Sequence, residues 1–176
     1  RSAEEIVARD FLCFAEPDAA VVVCDATCLE RGLLLVMQVL ETCPRTLLCV
    51  NLLDEAEKRQ IAIDLPQLEQ LLGIPVVGMA ARSGTGLPEF QQRLFDLLHQ
   101  PAPQPLPCPV PEQLEQPLEQ IQNELPENLC GLQREWTARR LLEPEPELHE
   151  KIAAHGNISL EIPALSDALE QTWKQY

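Results

Sequence analysis

Two short runs carry the groups in this chain best suited to binding chemistry. Asn51-Leu52-Leu53-Asp54 sets an amide and a carboxylate three residues apart, directly after an apolar stretch. Ala80-Ala81-Arg82-Ser83-Gly84-Thr85-Gly86 is a loop of mostly small residues after the next such stretch. A carboxylate accepts two parallel hydrogen bonds from neighbouring N–H groups, such as the ring N1–H and exocyclic amine of guanine. Adenine offers an acceptor at that ring position and would leave the charge unpaired, so the residue type discriminates between purines. In the second run, small side chains let backbone N–H groups approach a base oxygen, and Gly84 and Gly86 permit a tight turn. Each run also fits a simpler role when taken alone: Asn51-x-x-Asp54 as a helix cap, and residues 80–86 as an ordinary strand-to-helix turn.

The elements that must position these groups follow from patterning. Residues 19–24 are almost wholly apolar and β-branched, as expected of a strand covered on both faces, and the run ends at Asp25. Residues 46–50 and 75–79 have the same character. Between and after them, 29–40, 65–72 and 87–98 carry leucines at helical spacing, with Leu87, Phe90, Leu94, Phe95 and Leu98 expected on one face. The order β-α-β-α-β-α implies a parallel sheet with right-handed crossovers. Ligands bind such sheets beyond the carboxyl ends of the strands, the edge at which Asp25, residues 51–54 and residues 80–86 all fall. Three strands make a thin sheet with exposed edges, which suggests further strands upstream.

Composition narrows the classes of function. The 176 residues hold 28 acidic and 13 basic side chains, a net charge of −15 that opposes nonspecific binding to nucleic acid or anionic lipid. The longest apolar stretches are far short of the ~20 residues needed to span a bilayer. The N-terminus has no secretory leader and no Met, so it reads as a start inside a longer chain. Seven cysteines, at 13, 24, 28, 43, 49, 108 and 130, read as buried free thiols of a reducing compartment, and no paired spacing completes a metal site. Asp25 lacks the acidic cluster and later lysine of a phospho-acceptor. His99, His149 and His155 accompany no nucleophile and are expected to be solvated, so no catalytic residue is assigned.

Residues 100–111 alternate proline with other residues and read as an extended linker. Beyond it the β-branched runs give way to Leu, Glu and Gln. Leu114, Leu118, Ile121 and Leu125 recur at helical intervals, and 129–142 and 166–176 read as further helices. The expected division is therefore 1–99, an α/β unit; 100–111, a linker; and 112–176, a small all-α unit.

Several stretches together resemble the cytosolic G domain of bacterial ferrous iron transport protein B. They are Glu4-Glu-Ile-Val-Ala-Arg-Asp-Phe-Leu12, Val22-Val-Cys-Asp-Ala-Thr-Cys-Leu-Glu-Arg31, Asn51-Leu-Leu-Asp-Glu-Ala-Glu-Lys-Arg59 with Ile63-Asp-Leu65, and Gly73-Ile-Pro-Val-Val77 through Ala81-Arg-Ser-Gly-Thr-Gly86. Arg134-Glu-Trp-Thr-Ala-Arg-Arg-Leu-Leu-Glu143 is similar to the helical domain that joins that G domain to its membrane part. The resemblance implies a partial Ras-like P-loop GTPase fold for 1–99, the C-terminal part of a G domain, and a helical domain for 112–176.

It further implies a guanine-nucleotide-binding region, with GTP and GDP as ligands, at the cytoplasmic face of the bacterial inner membrane and coupled to Fe²⁺ uptake. Carried over by position, Asp54 would hold the guanine N1–H and amine, and Asn51 would brace the base loops with Leu52 and Leu53 completing the run. The backbone of Ala80, Ala81 and Arg82 would meet the base oxygen. The family usually has Ser or Thr where Ala80 stands, so a hydroxyl contact is lost there. The Gly-rich phosphate loop, its lysine and the Mg²⁺-holding hydroxyl lie upstream in the family and are not in this sequence, so Mg²⁺ would be held only in the intact protein. Hydrolysis by the 176 residues alone is not expected, and no metal ligand is assigned to them. The partners implied are guanine nucleotide and the protein's own membrane domain, without nucleic acid and with oligomer formation open. The rival reading is a nucleotide-free interaction module with a helical docking region.

Overall fold

A computed structural model of the chain describes residues 3–105, 110–143 and 145–159. Two compact units emerge, one from the described residues of 17–108 and the other from those of 1–16 and 109–176.

In the first unit, β1 (Ala20–Asp25), β2 (Thr46–Asn51) and β3 (Val76–Gly78) form a parallel sheet in the order β1-β2-β3. The register pairs Asp25 with Asn51 and Val50 with Gly78, so the carboxyl ends of the three strands share one edge. β2 lies between the other two and buries every residue from Thr46 to Val50. Helices α2 (Leu29–Leu40), α3 (Leu53–Lys58), α4 (Leu65–Leu72) and α5 (Leu87–His99) flank or follow the strands. Local signals set their ends. The Asp64 side chain accepts from Gln67 N–H at 2.9 Å to start α4, and Gly73, at φ 67°, stops it.

Two expectations change in this unit. β1 is covered on one face only: Ala20, Val22 and Cys24 are buried, Cys24 beneath Gly32 of α2, whereas Val21 and Val23 are 39% and 61% exposed. β1 is a sheet edge, and α5 packs over β2 and β3. A run of β-branched residues reports strand propensity and does not reveal how many layers cover the strand. In α5 the packed face is Phe90, Leu94 and Leu97, over Leu47 and Val77, while Leu87, Phe95 and Leu98 are exposed. The spacing 90-94-97 follows the helical period, and the exposed Leu87, Leu98 and Phe95 all fall on one flank of it.

The second unit contains α1 (Ala3–Phe14), α6 (Glu112–Glu124), α7 (Arg134–Leu142) and α8 (Pro146–Gly156). Its core includes Ile121, Trp136, Leu141, Leu148 and Ile152, with Cys13 and Phe14 of α1 packed against it. Arg9 of α1 reaches Glu145 at 2.7 Å, Asp10 pairs with Lys151, and Phe14 meets the His155 ring at 5.3 Å. These contacts group α1 with the helices after the linker, although it precedes β1 in the chain. Arg134 closes the end of α6 by donating to the carbonyls of Gln122, Leu125 and Pro126 at 2.5–2.7 Å.

Helix α7 starts at Arg134 and not at 129, because Cys130 and Gly131 take φ of 51° and 93°, which a right-handed helix cannot include. α8, unassigned from sequence, begins at Pro146, where proline suits a first turn. His149 is buried rather than solvated, with Nε2 3.2 Å from the Arg140 carbonyl. His99 is exposed, as expected. The helix read over 166–176 lies outside the described residues.

Of the described cysteines, Cys24, Cys43 and Cys49 are buried and Cys13 partly so, whereas Cys28 and Cys130 are exposed. Burial pushes the Cys13 thiol up to about 11. Because the thiolate is the reactive species, Cys28 and Cys130 should alkylate first among these six at neutral pH. Mass spectrometry of peptides from the native chain should show Cys13, Cys24, Cys43 and Cys49 protected until denaturant is added. Early labelling of Cys49 would contradict the position of β2.

Candidate functional site

β2 ends at Asn51, and the chain then turns through Leu52, whose φ of 64° lies in the left-handed region. That turn costs a β-carbon-bearing residue about 1–2 kcal/mol. It lets Leu53 N–H reach the Met79 carbonyl at 3.2 Å, while Met79 N–H donates to the Val50 carbonyl at 2.8 Å. The turn after β2 and the segment after β3 are thus tied backbone to backbone.

A side chain completes the tie. Asn51 Oδ1 accepts from Ala81 N–H at 3.0 Å. An N–H requires an acceptor, so this bond fixes the amide's orientation and leaves Nδ2, a two-proton donor, for another partner. Asp54 occupies the first turn of α3 and is partly buried, and its carboxylate has no hydrogen-bond partner among the described residues.

The loop after β3 folds upon itself. Ala80 N–H donates to the Thr85 carbonyl at 3.0 Å, Ser83 N–H to the Ala80 carbonyl at 3.0 Å, and Gly84 N–H to the Ala81 carbonyl at 3.2 Å. Ser83 Oγ lies 3.0 Å from the Ala80 carbonyl and 2.9 Å from Thr85 Oγ1. Of the three amides expected to face a base oxygen, Ala80 N–H and Ala81 N–H therefore already have partners. Arg82 N–H has none among the described residues. Ser83 and Thr85 were not singled out from sequence; their only signal there is a hydroxyl on either side of Gly84.

Gly86 allows the loop to return to the sheet. It sits at φ 80°, and a β-carbon there would fall 2.3 Å from the Gly78 carbonyl oxygen. At Gly84, also at φ 79°, a β-carbon would meet nothing within 4 Å.

Asp25 stands at the same edge but serves locally. Its carboxylate accepts from Thr27 N–H at 2.7 Å and Thr27 Oγ1 at 2.8 Å, capping the short 3₁₀ turn Ala26–Cys28. The bond from the Thr27 backbone, then that from its hydroxyl, holds Asp25 below the usual carboxylate range. At Glu55 the side-chain bond from Lys58 at 2.7 Å lowers the carboxyl, with Arg59 and Arg82 adding smaller charge effects.

A cavity of about 310 Å³ lies at the opposite edge, lined by Ile74 and Pro75 before β3 and by Glu69, Arg93 and Asp96 of α4 and α5. It gathers the carbonyl ends of two helices and two carboxylates, a setting poor for an anion. Among the described residues no group of three or more His, Cys, Asp or Glu is placed to hold a metal ion. No helix among the described residues is long and apolar enough to cross a membrane.

The parallel sheet with flanking helices and paired loops beyond its carboxyl edge matches the fold of solved G-domain structures, a partial Ras-like fold. Residues 1–94 match the sequence profile of the family Ferrous iron transport protein B. The chain belongs to that family. It is 40% identical over 98 residues to the Fe(2+) transport protein A/Fe(2+) transporter FeoB fusion protein of Porphyromonas gingivalis, covering 55% of this chain and 11% of that relative's length. Among solved structures it is similar to the FeoB G-domain from Methanococcus jannaschii, with 36% identity, TM-score 0.55, and coverage of 57% of this chain and 62% of that one. It is also similar to mGMPPNP-bound NFeoB from S. thermophilus, with 26% identity, TM-score 0.75, and coverage of 99% and 64%.

Two outcomes check this geometry. Gly86→Ala should destabilise the sheet unit by about 2 kcal/mol or more in urea unfolding, from backbone strain and overlap together, while Gly84→Ala should cost about 1 kcal/mol from strain alone. Equal effects would contradict the loop's return against β3. For Asp25, the native carboxyl releases its proton more readily than the unfolded one, so its stabilisation is present above the ordinary carboxylate range near 4 and is lost as pH falls through the lower native value. Thr27→Ala should raise the Asp25 titration midpoint toward the ordinary range in a side-chain NMR titration.

Proposed function

We propose that the 176 residues carry the base-reading part of a guanine-nucleotide site. In the intact transporter this region would serve as the cytosolic nucleotide-binding domain, coupling GTP binding and hydrolysis to Fe²⁺ uptake through the membrane part. Asp54 accepts the guanine N1–H and exocyclic amine. Asn51 braces the second loop through Oδ1 and turns Nδ2 toward the base edge, with Leu52 and Leu53 setting the turn. The base oxygen meets the backbone of the 80–82 segment, chiefly Arg82 N–H. The observation that most supports this is the Asn51–Ala81 bond, which joins the two loops at one sheet edge beside the Asp54 carboxylate and the Arg82 N–H, neither of which has a hydrogen-bond partner among the described residues.

The S. thermophilus neighbour, bound to mGMPPNP, supports the ligand class. The G-domain segment is read as ending near residue 99, followed by the linker at 100–111 and a helical domain from 112, although α1 packs with the helices of the second unit. No Gly-rich run with a following Lys and Ser or Thr occurs in the sequence, so base contacts act without the charge-assisted grip on phosphate that such a loop supplies. Binding by these residues is therefore weak, and they do not hydrolyse GTP. Mg²⁺ belongs to the phosphate end of the intact protein.

The test is titration of the ¹⁵N-labelled chain with GDP and xanthosine diphosphate, read from amide shifts. GDP should move residues 51–54 and 80–86. Asp54→Asn should weaken GDP about 10- to 100-fold, the loss of a charge-assisted pair, and should shift preference toward the xanthine nucleotide, whose 2-oxo group accepts from the new amide. Absence of GDP-dependent shifts in those segments, or an unchanged GDP-to-XDP preference in Asp54→Asn, overturns the reading.

A further inference from the structure

Resting on the guanine reading above, we propose that Ser83 is a positioning residue for base recognition, its hydroxyl holding the loop so that Arg82 N–H is presented to the base oxygen. The argument begins with what does not hold the loop. Residues 81–85 are all exposed, and the space around Gly84 is open to 4 Å, so packing does not fix the tip. Gly84 and Gly86 both take left-handed conformations and lend the segment freedom that must be lost when it meets a ligand. Ala80 supplies no side-chain hydrogen bond.

Ser83 supplies what Ala80 lacks. Its Oγ and its N–H both converge on the Ala80 carbonyl, at 3.0 Å each. A hydroxyl has one proton. If Ser83 donates it to Ala80, the 2.9 Å contact with Thr85 requires Thr85 Oγ1–H to be the donor. The result is a directed chain, Thr85 to Ser83 to Ala80, running parallel to the backbone bond from Ala80 N–H to the Thr85 carbonyl. Two cross-links thus close the loop at its base, and a third, from Asn51 Oδ1, holds Ala81. Arg82 sits between Ala81 and Ser83, so both neighbours of its free amide are anchored. Removing the Ser83 hydroxyl leaves the backbone bonds in place and loosens only the segment that presents Arg82 N–H.

The predicted signature separates this role from general structural damage. Guanine and hypoxanthine share the 6-oxo group, while only guanine has the 2-amine that Asp54 accepts. Losing the Ser83 hydroxyl should therefore weaken GDP and inosine diphosphate by the same factor, about 5-fold, and leave their ratio unchanged. The experiment titrates the ¹⁵N-labelled 176-residue chain with each nucleotide, using the parent, Ser83→Ala, Ser83→Thr, Thr85→Val and Asp54→Asn. Ser83→Thr should restore binding, and Thr85→Val should weaken both ligands about 2-fold, with β2 and β3 amide shifts unchanged throughout. If Asp54→Asn erases the GDP preference while Ser83→Ala and Thr85→Val bind both ligands as the parent does, the Ser83 assignment falls and the guanine reading stands. If Ser83→Ala alters the GDP-to-IDP ratio, Ser83 acts through Asp54 and the proposal is likewise overturned. If Asp54→Asn leaves the ratio unchanged, the guanine reading falls and this inference with it.

Discussion

The central strand governs this molecule's ligand edge. β2 is hydrogen-bonded on both sides and buried along its length, so its register cannot slip without exposing Leu47, Leu48, Cys49 and Val50. Asn51 is the last residue of that strand, and its place in space is therefore determined by the core and not by the loop it serves. Its amide reaches Ala81 because β3 is held against β2 in a register that brings Gly78 beside Val50. Single hydrogen bonds of this kind contribute only about 1 kcal/mol to stability. Their larger effect is to transmit the core's rigidity to two loops that have little packing of their own. The left-handed Leu52 fits the same logic: a strained residue persists where surrounding bonds over-determine it, here Leu53 to Met79 and Met79 to Val50.

The two units are stabilised by different means. The sheet unit depends on β-branched and leucine burial about β2, with glycines where backbone approaches backbone, as Gly86 does against Gly78. The helical unit depends on leucine, isoleucine and tryptophan burial, reinforced by cations at helix ends. Arg134 donates to three carbonyls at and just beyond the end of α6, those of Gln122, Leu125 and Pro126, where a helix runs out of its own amide donors. α1 joins this second unit through an ionic cluster and an apolar anchor together. The partly buried pair Arg9–Glu145 and the Asp10–Lys151 pair orient the helix, and Cys13 and Phe14 supply the burial. Exposed ion pairs contribute little by themselves, so the burial stabilises and the charges select the register.

Much of the sheet unit was legible in the sequence because its signals are local and redundant. Apolar β-branched runs alternated with leucine periods, and each transition carried Asp, Asn or Gly. The parallel sheet and the shared edge of the 51–54 and 80–86 runs follow from those signals, whereas a bracing role for Asn51 came only from the family resemblance. What escaped depends on neighbours distant in sequence. The one-sided burial of β1 reflects which elements flank it, and the buried face of α5 was misplaced because Leu87, Phe95 and Leu98 are as apolar as the residues that pack. α8 escaped because Pro146 reads as a breaker, although proline at a first turn favours a helix. The Thr85–Ser83–Ala80 chain was invisible for another reason: it exists only once Gly84 has turned the backbone to bring two hydroxyls within 2.9 Å.

Charge poses the last physical question, since a nucleotide is anionic and the chain carries a net −15. Charges beyond roughly 8–10 Å are largely screened at physiological salt, so what matters is the composition of the edge itself. There Asp25, Asp54 and Glu55 are interleaved with Lys58, Arg59 and Arg82. Asp25 is engaged by Thr27, and Lys58, Arg59 and Arg82 all act on Glu55, so Asp54 is left as the one carboxylate of the three without a hydrogen-bond partner among the described residues. A base with two adjacent N–H donors satisfies that group without bringing a second charge to it. On the proposed guanine reading, the selectivity of such an edge would come from that one acceptor in a locally balanced field, and the overall acidity of the chain, which discourages indiscriminate polyanion binding, would not oppose it.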